Sequence, residues 1–153
     1  MKKTIFLFSL VLFGLFSCEK EKIDPGMAPN STLAGHWTVN EYSLDMVQTY
    51  GPAKLLTYNT SFDQNSIWID NIYDSNIKMK ANVLSATSFG MTGGIDANGN
   101  PDIAKISISE ASIVADSIIF RVTMYDAIGD IIDDYYEAGH RTTGWDDDHH
   151  VEL

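Results

Sequence analysis

From Ala34 onward apolar residues recur at every second position, the period of a strand with one covered face. Ile77, Met79, Ala81 and Val83 alternate with Lys78, Lys80 and Asn82. Ile118, Phe120, Val122 and Met124 alternate with Ile119, Arg121, Thr123 and Tyr125, and Ala104, Ile106 and Ile108 with Lys105 and Ser107. Shorter stretches of the same character predict strands at His36–Leu44, Leu55–Phe62, Ser66–Asp70, Ala86–Met91 and Tyr135–Thr142. Asn98-Gly99, Gly93-Gly94, Tyr73-Asp74-Ser75-Asn76 and Ile128-Gly129-Asp130 punctuate these runs as turns. No window sustains an amphipathic helix; Val47–Leu56 holds at most a short turn, interrupted by Gly51-Pro52. No repeat at a fixed period appears, which sets aside propellers and solenoids. The pattern predicts an all-β chain of about eight short antiparallel strands. Such strands must hide their edges, and sequential hairpins in a chain this short favour a single up-and-down barrel over a sandwich.

The first eighteen residues break the pattern. Lys2 and Lys3 precede an apolar run, Ile5 to Phe16, of 12 residues. That is too short for a spanning helix and the right length for the core of a signal peptide. The run ends in Leu15-Phe16-Ser17-Cys18, which resembles a bacterial lipobox, so residues 1–17 are expected to be removed and Cys18 to carry lipid. Residues 18–33, rich in charge, Pro, Gly and small polar side chains, then read as a flexible tether. The barrel is expected over 34–148, with 149–153 as a tail.

Charge narrows the partners. The chain of 153 residues carries a net charge of −11, and without the leader eight basic face 21 acidic side chains for −13. A surface so acidic repels phosphate backbones, so no nucleic-acid partner is expected, nor electrostatic adhesion to anionic lipid. A single cysteine excludes an internal disulfide framework and a cysteine-based zinc site.

Gly35-His36-Trp37 at the first strand and Arg141 on the last resemble the lipocalin, or calycin, pattern. With Thr57-Tyr58-Asn59-Thr60, Ile67-Trp68-Ile69-Asp70, Lys78-Met79-Lys80, Asp116-Ser117-Ile118 and Gly139-His140-Arg141-Thr142-Thr143-Gly144, the chain resembles the lipid-binding putative hydrolases, a lipoprotein family of Gram-negative bacteria. The resemblance implies a lipocalin-like barrel in which Trp37 plugs one end and Arg141 packs across it. It implies an apolar ligand or lipid, held by a protein anchored at the bacterial outer membrane on its periplasmic or cell-surface side. It carries no catalytic motif. A cation–π contact of Arg141 on Trp37 would tie the first strand to the last.

The chemistry-bearing residues give little else. His36 and His140 fall on terminal strands that a barrel sets side by side, with Asp133 or Asp134 near enough in sequence to orient one, but no serine lies in a nucleophile elbow. No catalytic residues and no cofactor are expected. Asp146-Asp147-Asp148-His149-His150 is contiguous rather than spaced on one face, and Asp96–Asp102 lacks the sixth-position glycine of a calcium loop; neither is expected to hold a metal. Tyr58, Phe62, Trp68, Met79, Ala81, Phe89, Phe120 and Met124 are the candidates to line a ligand site, with Ala81 leaving room opposite. If the large ones all point inward, the barrel is filled, and an accessory role through a protein partner is the alternative to lipid binding. A weak hydrolase is the third reading.

Overall fold

In the computed structural model, residues 30–61, 63–71 and 76–143 are described. Eight antiparallel strands follow one another around a closed barrel in chain order. They are β1 Gly35–Tyr42, β2 Gln48–Asn59, β3 Ser66–Asn71, β4 Ile77–Ser85, β5 Ser88–Gly94, β6 Lys105–Val114, β7 Ser117–Tyr125 and β8 Ile131–Arg141. The seam is β1 on β8, in register from Trp37 opposite Arg141 to Tyr42 opposite Tyr136. No described residue is helical. This is the eight-stranded up-and-down barrel that the two-residue period predicts. Cys18, Phe62 and the Asp146–His150 run lie outside the described residues.

The strand edges depart from the sequence reading mainly in β2. This strand begins at Gln48 and runs through Gly51-Pro52, which reads as a break, rather than beginning at Leu55. The barrel accommodates the pair because the register slips there: Val39 opposes Ala53, while Glu41 opposes Tyr50. A slip of this kind leaves a position that owes no ladder hydrogen bond, which is where proline fits in a sheet. Gly51 has φ of 114° and lies against Asn40, so a side chain there would meet both backbone strain and the Asn40 main chain.

Side-chain parity divides inside from outside. Leu55, Ile67, Ile69, Met79, Phe89, Ile106, Ile118 and Phe120 expose almost nothing, whereas their chain neighbours are largely half-buried or exposed. One end is plugged. Trp37 is fully buried, and its indole N–H donates to Thr57 Oγ1 at 2.8 Å, whose hydroxyl in turn donates to the Leu33 carbonyl at 2.6 Å. The guanidinium of Arg141 lies 4.3 Å from the centre of the Trp37 ring. It also donates to the Ala34 carbonyl at 2.8 Å and the Thr32 carbonyl at 3.3 Å, holding the entering chain across this end. Gly35 makes the stacking possible: a Cβ there would overlap Arg141 Nη1 and crowd the indole.

Trp37→Ala is expected to cost about 3–5 kcal/mol in chemical denaturation, the range for a fully buried large aromatic. A cost below ~1 kcal/mol would mean that the plug contributes little to closure.

Candidate functional site

The plugged half of the barrel is filled. Phe89 and Phe120 meet edge to face, ring centres 5.6 Å apart, and with Trp37, Leu55 and Ile67 they are at most 1% exposed. Ala81 lies on this level, at 0% exposure, so no open space adjoins it. The gap expected opposite this small residue is therefore not there. A small side chain in a close-packed interior makes room for larger neighbours, not for a ligand.

The other candidate lining residues separate. Met79, Ala81, Phe89, Phe120 and Met124 share the interior, with Met124 nearest the unplugged end, where it pairs with Ile106 and Asp133. Tyr58 and Trp68 do not join them. They oppose each other on the outer face of β2 and β3, where Trp68 also opposes Lys80. The Lys78 ammonium covers both rings, 5.3 Å from the centre of Tyr58 and 4.9 Å from that of Trp68. Beneath it, Asp70 accepts the Tyr58 hydroxyl at 2.7 Å and pairs with Lys78 at 3.5 Å. Burial first, and donation to Asp70 further, raise the Tyr58 phenol above its ordinary pKa, against the pull of Lys78. Lys78 is likewise held above its usual value, first by Tyr58 and then by Asp70, with desolvation opposing. A cation between two rings over a carboxylate is a wall-stabilising cluster; it explains why large aromatics sit on the outward parity.

The unplugged end has a different lining. The inward positions of β8 continue past Gly139 to Glu137, Tyr135 and Asp133, and across the seam Glu41 opposes Glu137. Glu137 is 1% exposed and accepts from Asn71 Nδ2 at 3.1 Å; Asn71 Oδ1, also buried, accepts no hydrogen bond. Beyond Tyr42 opposite Tyr136 the seam pairing stops, and β1 and β8 part. The opening is a cleft of about 520 Å³ lined by Glu41, Ser43, Thr49, Tyr50, Asp133 and Tyr135, with Asp134 at its edge. This volume lies in the range of small-molecule sites. The lining is carboxylate, hydroxyl and tyrosine, with none of the methionines, and none of the candidate aromatics, expected from the sequence. Reading the β8 parity outward from Gly139 would have found Glu137, Tyr135 and Asp133; nothing local in the sequence marks Glu41, Asn71 or Tyr50.

The wall beside the cleft is fixed by charge. Arg121 grips Asp134 with two hydrogen bonds, Nε to Oδ1 at 2.8 Å and Nη2 to Oδ2 at 2.7 Å, and Thr123 adds a third at 3.1 Å. The Arg121 guanidinium, and secondarily Thr123, hold the Asp134 carboxyl below the usual carboxylate range. Tyr136 donates to Glu110 at 2.9 Å, which raises its phenol.

The hydrolytic and metal candidates are placed elsewhere. His36 and His140 are exposed at the plugged end, on the outward parity, away from the cleft. Asp96 is saturated by backbone amides: Oδ1 accepts from Lys78 and Asn98, and Oδ2 from Asn100, at 2.9 to 3.0 Å. It organises a turn. No three His, Cys, Asp or Glu converge on one point among the described residues.

Comparison with known protein families matches residues 22–146 to the family described as lipid-binding putative hydrolase, and the chain belongs to that family. A search of curated proteins finds no match.

The Arg121–Asp134 pair gives a pH prediction. Because the folded pKa of Asp134 is lowered, its contribution is complete above the unfolded value, about 3.9, and is lost as pH falls through the folded value. Arg121→Gln should therefore lower Tm at pH 7, because it removes both hydrogen bonds to Asp134. The difference, followed by circular dichroism, should shrink as pH falls below the ordinary carboxylate value and through the lowered folded value of Asp134. A constant difference down to pH 2 would refute the pairing as its source.

Proposed function

We propose that the chain is an envelope-anchored lipoprotein that binds the polar end of a lipid in the cleft where β1 and β8 part. Membership of a lipid-binding family makes lipid the ligand class. The observation that carries the location is the division of the barrel interior. The core around Trp37, Phe89 and Phe120 is closely packed, while the unplugged end holds a cleft of about 520 Å³ whose lining includes Glu41, Asp133 and Tyr135 from the inward parity of β1 and β8. The mouth carries an amphipathic lining. Tyr50 and Tyr135 contribute aromatic carbon to the lining, and Glu41, Asp133, Ser43 and Thr49 contribute oxygens suited to a hydroxyl- or ammonium-bearing headgroup. Each methylene covered there is worth about 0.8 kcal/mol.

The packed interior also favours a second reading, an accessory barrel that acts through a protein partner. A fluorescent lipid analogue decides between them. Saturable binding, weakened at least about tenfold by Thr49→Trp with the melting curve unchanged, supports the cleft, since an indole there fills space that a pocket of this size needs. Thr49 is exposed and contributes no core contact, so this change should leave folding intact. Absence of saturable binding in the wild type would favour the accessory reading.

The anchor rests on the apolar run that ends at Cys18. Cys18→Ser should abolish fatty-acid labelling in cells and release the protein from the membrane fraction. Retention of both would refute lipidation at this residue.

A further inference from the structure

Ten large hydrophobic side chains are exposed among the described residues, and eight of them stand at the unplugged end. They are not spread around the rim. Leu44, Met46 and Val47 occupy the β1–β2 connection on one side of the cleft. Ile128, Ile131 and Ile132 occupy the β7–β8 hairpin on the other. Tyr50 lies between them in the cleft wall, and Ile95 follows β5 at the same end. Exposure reaches 63% at Val47, 72% at Ile95 and 84% at Ile128. Scattered surface hydrophobics need no explanation, but two apolar tips flanking one opening form a patch of the kind that marks an interaction site.

Charge indicates what the patch meets. Residues 43–50 and 126–133 contain Asp45, Asp126, Asp130 and Asp133 and no Lys or Arg. Asp126 is occupied in organising the hairpin, where one carboxylate oxygen accepts the backbone N–H groups of Ile128, Gly129 and Asp130 at 2.8 to 3.0 Å. Asp45, Asp130 and Asp133 are exposed among the aliphatic residues of the tips. An anionic bilayer repels such a rim. A zwitterionic bilayer does not: its ammonium groups lie outermost and meet the carboxylates, while the aliphatic tips reach the boundary of the acyl region.

The geometry points to the unplugged end as a docking surface for a zwitterionic lipid bilayer, with the two tips entering its interface and the cleft opening onto it. This inference rests on the cleft as the lipid site and names the surface from which it is filled. Chain length is compatible. Cys18 is twelve residues before Asn30, where the described chain begins at the plugged end, and twelve residues span at most roughly 40 Å. The eight residues of β1 rise about 26 Å, so an anchored chain could still turn its far end to the membrane.

The test uses residues 18–153, without the expected leader and with Cys18→Ser, so that one introduced cysteine takes an environment-sensitive fluorophore. One protein is labelled at Ile128→Cys, and a second at Asp116→Cys in the exposed β6–β7 turn of the plugged end. With phosphatidylcholine vesicles, the label at 128 should shift to the blue and be quenched by bilayer-embedded quenchers at least threefold more than the label at 116. Vesicles with one-third anionic lipid should give a weaker response that partly recovers with added salt. Val47→Asp combined with Ile131→Asp should remove the response at 128 while the far-ultraviolet dichroism stays that of the wild type. Equal responses at both labels, no response at either, or a stronger response to anionic vesicles would overturn the docking. A blue shift at 128 that grows with protein concentration and needs no vesicles would replace the bilayer with a second copy of the chain. A short-chain fluorescent lipid below its micellar concentration tests the cleft separately, because it needs no bilayer. Its binding with silent vesicles would sink the docking alone, and its failure to bind would sink the cleft reading whatever the vesicles do.

Discussion

The closure of β1 on β8 is the constraint on which the rest of this barrel depends. An eight-stranded sheet of short hairpins is stable in water only if its first and last edges meet, and the chain fixes that meeting at one end with a few side chains. Arg141 contributes three directions at once: its guanidinium lies on the Trp37 ring, and its N–H groups reach back to the carbonyls of Thr32 and Ala34. The backbone repeats the tie, since Arg141 N donates to the Asp116 carbonyl and Thr142 N to that of His36. The entering segment, the seam and a neighbouring turn are thus locked around one fully buried indole. Gly35 and Gly139 are the counterpart of that tightness. At Gly139, opposite Val39, a side chain would run into the β1 backbone at Thr38 and Val39, so the seam draws its two strands together where β8 is bare.

A consequence follows for the opposite end. Because the seam is pinned at Trp37 and Arg141, it is free to come apart beyond Tyr42 and Tyr136, and that parting makes the cleft. The interior changes character along the same axis, from Trp37, Phe89 and Phe120 to Glu137 and Asn71. A carboxylate buried to 1% exposure is costly for a barrel that needed only to be stable, because burial takes its charge out of water. Placing it at the boundary between the filled half and the cleft keeps that cost away from the plug and puts polarity where a headgroup would arrive.

Much of this was legible in the sequence, and what was not has a physical reason. Alternation marked the cores of β4, β6 and β7 cleanly, because a barrel with a dry interior imposes parity on them, and the remaining strands were found with looser bounds. β2 was half missed because Gly51-Pro52 reads as a break, and only the register slip against β1 turns it into a tolerated bulge. Tyr58 and Trp68 were read as interior because large aromatics usually are; their outward parity becomes sensible only when Lys78, two strands away around the barrel, is seen lying over both rings. That kind of compensation crosses strands and leaves no local trace. The mouth was obscured for the same reason: Glu41 and Glu137 are 96 positions apart and become neighbours only through the seam.

The two ends therefore answer to different physics. At the plug, packing density governs, and any added volume, even at Ala81, must displace a neighbour. At the mouth, burial is incomplete, the side chains are charged or aliphatic and exposed, and substitutions act on what the barrel meets. The hydrophobic tips make sense only in this division. Aliphatic residues left in water on Val47 and Ile128 weaken solubility without adding to the core, and the acidic surface offsets that liability through its net charge of −11. The same charge restricts the surfaces on which those tips can settle. An apolar rim on an acidic body favours a neutral interface over an anionic one, so the charge that keeps the chain soluble also selects its membrane.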